Sequence, residues 1–161
     1  MVIMKNLTLL CLFLLCVFAT QAQGLNGSVR ASLPMGDADE VYSFGLAAEL
    51  DYYFEAGDGF LVGPTVGFKY YFVKSDYSDF VDGAAFLPIG GSARFGISED
   101  FWAGADLGYA VGVSEGNDGG FWYEPYIMYG LGGVGIIASY SGISSDGYTF
   151  SSVNLGVAFG L

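Results

Sequence analysis

The chain has 161 residues, of which 17 are acidic and five are basic, so its formal net charge is −12. This length allows one domain, and the acidic balance leaves no basic patch for nucleic acid or for an anionic membrane surface. Histidine is absent, and both cysteines, Cys11 and Cys16, lie near the N-terminus. The rest of the chain therefore has no thiol for a disulfide or a thiolate metal site.

The N-terminus has the pattern of a secretory signal peptide. Lys5 supplies a positive charge, 7–19 is an apolar run, and small residues precede a cleavage point after Ala22. The apolar run has thirteen residues, which is short of the ~20 that a membrane-spanning helix needs. The sequence therefore predicts a signal peptide at 1–22 and one mature domain at 23–161.

Beyond the signal peptide, hydrophobicity alternates with period two, which is typical of strands whose two faces meet different surroundings. Glycine-rich or acidic segments separate the alternating stretches. The last stretch shows the alternation most clearly, because the odd positions from Val153 to Leu161 are large and apolar and the even ones are small or polar. We predict eight strands, at 25–33, 42–54, 60–73, 84–97, 101–113, 121–131, 134–143 and 149–161.

The predicted connections alternate in length. The short ones are Glu55–Gly59, Ser98–Asp100 and Gly132–Gly133. The longer ones, rich in Asp, Gly and Ser, are 34–41, 74–83, 114–120 and 144–148. Long and short connections in turn, with both termini on the short side, are typical of an up-and-down membrane barrel. An immunoglobulin-like sandwich, the alternative, does not need that regularity.

The two faces of the strands distinguish a membrane barrel from a soluble one. In 101–113 one face holds Phe101, Ala103, Ala105, Leu107, Tyr109, Val111 and Val113. The opposite face holds Trp102, Gly104, Asp106, Gly108, Ala110 and Gly112. Eight strands enclose little more room than side chains fill, so the bulky faces would overfill the interior. We therefore predict an all-β fold, an eight-stranded antiparallel up-and-down transmembrane β-barrel with its bulky face toward lipid.

Aromatic residues cluster at both ends of the predicted strands. Near the long connections lie Tyr42, Phe44, Tyr70, Phe72 and Tyr123. Near the short connections lie Tyr52, Phe54, Phe60, Phe95, Phe101, Tyr129 and Phe159. Because amphipathic rings favour membrane interfaces, we predict two aromatic girdles. The alternative is the general preference of aromatic residues for strands.

Charged residues within the predicted strands all fall on the lumen face. They are Arg30, Glu49, Asp51, Lys69, Arg94, Asp106 and Glu124. Charges confined in this way predict a paired network, in which Arg94 reaches diagonally to Asp106. The main hypothesis is a plug that holds the barrel shut, and the alternative is a path for protons or ions. The remaining lumen space would be filled by Trp102, Trp122, Tyr53, Tyr71, Phe86 and Tyr126.

Little in the chain indicates catalysis or cofactor binding. Without histidine, nothing activates a serine nucleophile, so we predict neither an enzyme nor a cofactor. The long connections carry nine acids, Asp37, Asp39, Glu40, Asp76, Asp79, Asp82, Glu115, Asp118 and Asp146, against the single base Lys74. They lack the calcium-loop pattern. We therefore predict solvated loops and no metal site, with divalent cations at the loops as the alternative.

The chain resembles the small eight-stranded outer-membrane β-barrels of Gram-negative bacteria. The resemblance covers roughly 24–161 and rests on the alternation, on Gly104-Ala-Asp-Leu-Gly-Tyr109 and on the closing strand Ser151-Ser-Val-Asn-Leu-Gly-Val-Ala-Phe159. It implies a monomer in the bacterial outer membrane, with both ends in the periplasm and contacts to lipid and lipopolysaccharide. It also implies insertion by the outer-membrane assembly machinery, which reads an aromatic-rich last strand. Phe159 matches that signal, whereas Leu161 stands where Phe or Trp is usual.

From these features we expect a structural or surface-interaction role. A narrow ion or small-solute channel is the alternative.

Overall fold

The structure, a computed structural model, describes residues 24–160. The predicted signal peptide at 1–22 and Leu161 lie outside the described residues. The strands are β1 Leu25–Met35, β2 Tyr42–Tyr52, β3 Phe54–Gly57, β4 Phe60–Val73, β5 Ala84–Gly96, β6 Phe101–Gly112, β7 Gly120–Gly130, β8 Val134–Ser145 and β9 Tyr148–Gly160. A short helix, α1, covers Asp37–Val41. No helix in the described part is long and apolar enough to cross a membrane.

The strands close into a barrel. Consecutive strands pair antiparallel, except that β2 does not pair with the short strand β3 and pairs instead with β4. Strands β1 and β9 also pair. Because β2 and β3 follow one another on the same side of β4, they form one interrupted strand of the barrel wall. The barrel therefore has eight strands around its circumference. The predicted all-β, eight-stranded, antiparallel up-and-down barrel is confirmed.

The strand predicted at 42–54 is interrupted at Tyr53. β2 pairs on both sides, whereas β3 pairs only with β4. The interruption falls where β1 begins, because Leu25 is the partner of Tyr52 and the Tyr53 N–H donates to the carbonyl of Gly24 at 2.8 Å. Beyond this point the chain has lost one neighbouring strand, which explains the break.

The connection predicted at 144–148 is shorter than expected. Only Asp146 and Gly147 separate β8 from β9, and Gly147 has a φ of 74°. Asp-Gly is a strong signal for a two-residue hairpin, because glycine adopts this left-handed conformation without strain. The prediction of a long loop at this position was wrong.

The connection predicted at 34–41 is largely ordered. β1 continues to Met35, and α1 follows after Gly36, which has a φ of 63°. The first turn of α1 is acidic, as the helix dipole favours. The side chain of Ala38 is fully buried, because α1 packs against β1, β2 and β9. The helix therefore folds over one end of the barrel.

The bulky face of the strands points outward. Leu107 is 54% exposed, whereas its neighbour Asp106 is 0% exposed. Val157 and Leu155 are likewise exposed, and Asn154, next to Leu155 on the other face, is buried. A continuous apolar exterior around small and charged interior residues suits hydrocarbon and is unfavourable in water. The predicted assignment of the two faces is therefore confirmed at these positions.

Aromatic pairs occupy both rims of the exterior. Phe44 stacks on Phe72 at 4.6 Å between ring centroids, and Tyr52 meets Phe54 edge to face at 4.9 Å. Tyr42 departs from the predicted girdle, because its ring lies 5.3 Å from that of the buried Phe150. Its position at the first residue of β2, next to α1, turns it toward the interior.

Candidate functional site

The lumen contains the predicted charged residues. We call the barrel end near residues 24 and 160 the terminal end, and the end with connections 36–41, 74–83, 113–119 and 146–147 the loop end. Six of the seven predicted charges are buried inside the barrel: Arg30, Glu49, Asp51, Lys69, Asp106 and Glu124. Arg94 is only half-buried and lies toward the terminal end, across from Asn26.

Glu124 on β7 is the centre of the hydrogen-bonded network. Its Oε1 accepts from Arg30 Nη1 at 2.5 Å, Ser139 Oγ at 2.7 Å and Asn154 Nδ2 at 3.2 Å. Its Oε2 accepts from Lys69 Nζ and from Trp122 Nε1 at 3.0 Å. Five donors on one fully buried carboxylate satisfy it and hold it ionised between two cations.

Arg30 connects two acids across the lumen. While Nη1 donates to Glu124, Nη2 donates to Glu49 Oε1 at 2.5 Å. The guanidinium also donates to Ser28 Oγ, from Nε at 3.1 Å and from Nη2 at 2.9 Å. Because the planar fork of arginine presents several donors at fixed angles, one side chain orients both carboxylates.

Lys69 and an aromatic layer fill the lumen toward the loop end. Lys69 Nζ donates to Glu124 and to Ser141 Oγ, the latter at 3.0 Å, and lies 5.6 Å from the centroid of the Trp122 ring. Beyond it, packed rings close the interior, and we call them the aromatic layer: Tyr71, Phe86, Trp122 and Phe150. All four rings are buried, so the cross-section here is occupied by side chains.

The predicted ion pair between Arg94 and Asp106 does not form. The Arg94 guanidinium carbon lies 4.0 Å from the centroid of the Tyr53 ring and 5.3 Å from that of Trp102. Its Nη2 donates to Asn26 Oδ1 at 3.3 Å. In the β5–β6 ladder Arg94 faces Gly104, and its long side chain turns to the aromatic rings at the terminal end, away from Asp106.

Three of the predicted acids form a carboxylate cluster, Glu49, Asp51 and Asp106. One carboxylate oxygen from each lies within 4.8 Å of the other two, and all three residues are buried. Both oxygens of Asp106 and Oδ1 of Asp51 have no hydrogen-bond partner within 24–160. The cluster is therefore unlike the Glu124 site, where every oxygen is satisfied.

Several residues of the network were not identified from the sequence. Ser28, Ser139, Ser141 and Asn154 hold the ionised groups. Ser92 joins the hydroxyls of Tyr53 and Tyr126, which were predicted only to fill lumen space, and its Oγ lies 2.7 Å from Tyr53 Oη. Their signal in the sequence is a polar residue at alternate positions on the small face of a strand. That signal marks the lumen face but does not show which charge each residue contacts.

The loop end holds a cavity with a volume of about 590 Å³. Its wall includes the aromatic residues Tyr42, Phe80, Phe86, Tyr148 and Phe150 and the acids Asp82, Glu115, Asp118 and Asp146. Phe80 is 85% exposed. Aromatic faces and carboxylates both attract cations, so this cavity suits a basic group attached to an apolar body.

No protein-family model matches the sequence, and no curated protein shows significant similarity to it. Solved structures do match. A de novo designed transmembrane β-barrel superposes with a TM-score of 0.60 at 14% identity, covering 85% of this chain and 94% of that one. Ail, the attachment invasion locus protein of Yersinia pestis, gives 0.57 at 17% identity, covering 84% and 95%. Neisserial surface protein A gives 0.51 at 15% identity, covering 86% and 97%. The chain is thus similar in fold to small eight-stranded transmembrane β-barrels of outer membranes.

Proposed function

We propose that this protein is an integral protein of the bacterial outer membrane, in which a non-conducting barrel presents a binding surface at the cell exterior. The supporting observation is the filled cross-section of the lumen, where Glu124, Lys69 and Trp122 are all fully buried. An ion that crosses this layer would have to displace satisfied charges from a low-dielectric interior, which is costly. A scaffold role therefore fits better than a channel role.

The binding surface in this proposal is the loop end. Its cavity joins aromatic rings to carboxylates, and the exposed ring of Phe80 stands beside it. The whole chain is acidic at −12. Charge complementarity therefore favours a basic, partly apolar protein segment as the partner. The names of two proteins of similar fold, attachment invasion locus protein and neisserial surface protein, are in line with a role at the cell surface.

The proposal includes lipid, lipopolysaccharide and the assembly machinery as further partners. The apolar exterior would contact outer-membrane lipid, and the acidic loop end would meet lipopolysaccharide through bridging cations. The assembly machinery would recognise the last strand through Phe159. Because closure leaves no free strand edge between β1 and β9, a monomer is sufficient. The proposed role is binding without catalysis.

A planar bilayer experiment tests the scaffold role against a channel. The barrel, purified and reconstituted into lipid vesicles, is fused with the bilayer, and current is recorded under voltage. We expect no reproducible single-channel steps. Reproducible steps of constant size would contradict the proposal and favour a narrow ion or small-solute channel. A porin reconstituted in parallel would show that fusion delivers barrels to the bilayer.

A binding experiment tests the loop end. A cationic Leu/Lys peptide and its anionic Leu/Glu counterpart are titrated against the barrel in nanodiscs of zwitterionic lipid. We expect the cationic peptide alone to bind. The substitutions Asp82→Asn, Glu115→Gln and Asp118→Asn together should weaken it about tenfold, at ~0.5 kcal/mol per surface contact.

The matched control neutralises three exposed acids at the terminal end, with Asp58→Asn, Glu99→Gln and Asp100→Asn. These substitutions change the net charge equally, so they should leave the affinity unchanged. Equal weakening by both sets would show that binding follows net charge alone, and binding of the anionic peptide would contradict the proposed partner chemistry.

A further inference from the structure

The carboxylate cluster of Glu49, Asp51 and Asp106 has less positive charge beside it than the rest of the lumen. Arg30 pairs with Glu49 and Glu124, and Lys69 pairs with Glu124. Two cations thus compensate two of the four buried acids. Within the described residues, Asp51 and Asp106 form no ion pair. Arg94 stacks on Tyr53 without reaching either carboxylate.

Burial makes this arrangement unfavourable unless another group completes it. Asp106 is completely buried, and neither of its oxygens accepts a hydrogen bond. An uncompensated carboxylate in such a place is strongly destabilising, and buried charges in proteins are in general paired or bound to metal ions. Two uncompensated carboxylates correspond in charge to one divalent cation.

A second observation, separate from the acids, indicates the same ligand. Thr65 is the cross-strand partner of Asp51 in the β2–β4 ladder. Its side chain is 2% exposed, and its hydroxyl lies near the Asp51 carboxylate without a hydrogen bond of good geometry to any group in the described structure. A hydroxyl oxygen is an acceptable ligand for a hard cation. An unsatisfied hydroxyl therefore lies beside the acid that also has an unsatisfied oxygen.

A small cavity adjoins the cluster. It has a volume of about 10 Å³, and its wall includes Glu49 and Asp51, but not Asp106 or Thr65, together with Arg30, Arg94 and Asn26. This is the space of about one water molecule. The lining residues Asn26 and Arg94 belong to the terminal end, so the cluster is separated from that end by a few side chains. On the opposite side, the ionised Glu124 site and the aromatic layer separate it from the loop end.

We propose that Glu49, Asp51 and Asp106 bind a single Ca²⁺ ion inside the barrel, with the Thr65 hydroxyl as an additional ligand. Oxygens at most 4.8 Å apart suit Ca²⁺, whose ligands lie ~2.3–2.6 Å from the ion and follow flexible geometry. Mg²⁺ fits less well, because it requires ligands at ~2.0–2.1 Å in near-octahedral order. The ion would join β2, β4 and β6 from the inside. The inference is independent of the proposed binding role.

The test uses the purified chain refolded in detergent with Ca²⁺ or with a chelator, and then transferred to ion-free buffer. Elemental analysis should find about one Ca²⁺ per folded chain. In a separate measurement, urea unfolding with free Ca²⁺ at 100 times its dissociation constant should lie at higher urea than unfolding with chelator, by about 100-fold in the unfolding equilibrium constant. Heat-modifiable gel mobility verifies that both preparations are folded.

The variants Asp106→Asn and Asp51→Asn/Asp106→Asn keep the side-chain shapes and remove charge. They should retain less than about a tenth of the Ca²⁺ and lose the dependence of unfolding on Ca²⁺. The control Asp118→Asn/Asp146→Asn, at the loop end, should retain the wild-type amount. A folded wild-type chain that retains no Ca²⁺ and unfolds identically in both preparations would overturn the proposal, as would equal retention by Asp106→Asn. Either result would favour carboxylates that share protons.

Discussion

Arg30 and Glu124 lie 94 positions apart in the chain, and Arg30 Nη1 is 2.5 Å from Glu124 Oε1. Their strands, β1 and β7, are separated by β8 and β9 around the barrel, so the contact crosses the lumen and is not part of a ladder between neighbours. Lys69 approaches the same carboxylate from β4. Side chains from three strands that do not pair with one another therefore meet at the centre of the barrel.

Replacing Glu124 with Gln should destabilise the barrel. The change keeps the shape of the side chain but leaves Lys69 without its carboxylate and Arg30 with only Glu49, so we expect a loss of about 3–5 kcal/mol. Urea unfolding in detergent, followed by tryptophan fluorescence, measures it. Glu55→Gln, at an exposed acid on β3, is the control and should have no effect. Equal midpoints for the two variants would contradict the central role of Glu124.

Arg94→Leu should be milder than Arg30→Leu. Arg94 contributes a stacking contact with Tyr53 at 4.0 Å, for which we expect about 1–2 kcal/mol. Arg30 forms two buried ion pairs, so its removal should cost about 3–5 kcal/mol. The same urea experiment compares them. If Arg94→Leu were as damaging as Arg30→Leu, Arg94 would have a buried acidic partner after all.

Arginine at the lipid-facing position 107 should be unfavourable. Leu107 lies midway along β6 and is exposed, so Leu107→Arg should cost about 2–4 kcal/mol in lipid vesicles. Val113, which is also exposed, lies just beyond the end of β6 at the loop end. Val113→Arg should therefore cost ~0–1 kcal/mol. The same cost at both positions would be inconsistent with a hydrocarbon layer centred on the barrel.

Alanine at Gly108 should disturb the contact between β5 and β6. A Cβ there would lie 2.6 Å from the Cα of Gly90 on the paired strand, and would also meet the carbonyl of Ile89. Because these are backbone atoms, they cannot rotate away, and we expect a loss of about 1–3 kcal/mol. Gly133→Ala is the control, since a Cβ there meets nothing within 4 Å. Equal urea midpoints for Gly108→Ala and Gly133→Ala would contradict the close approach of the β5 and β6 backbones at Gly108.

The sequence predicted the architecture well because one geometric rule governs it. Successive side chains of a strand alternate between faces, so the contrast of Leu107 with Asp106 already indicates which face is buried. The same rule placed the lumen charges on one face of each strand that carries them. Alternation alone does not say which face is inside. The interior of an eight-stranded barrel is too small for the bulky side chains, so these must point outward.

The partners inside the lumen were not predictable in the same way. The diagonal proximity of β5 and β6 predicted a pair of Arg94 with Asp106, but contacts across the lumen depend on the stagger of strands that are not neighbours. The contact of Arg30 with Glu124 is of this kind. The tight Asp146-Gly147 turn was readable from its dipeptide, whereas α1 was not, since five residues carry too little periodicity for a helix.

Lipid around the bulky face of the strands is the condition on which the proposed location and role of the barrel depend. The two cysteines of the sequence lie at positions 11 and 16, within the predicted signal peptide, so single cysteines in the mature chain can carry a spin label. In lipid vesicles, oxygen should accelerate the spin relaxation of labels at Leu107→Cys and Val157→Cys, because oxygen concentrates in hydrocarbon. A water-soluble nickel complex should have little effect on the relaxation of these labels. The label at Val113→Cys should respond to the nickel complex. Strong nickel relaxation at positions 107 and 157 would contradict a barrel embedded in the membrane.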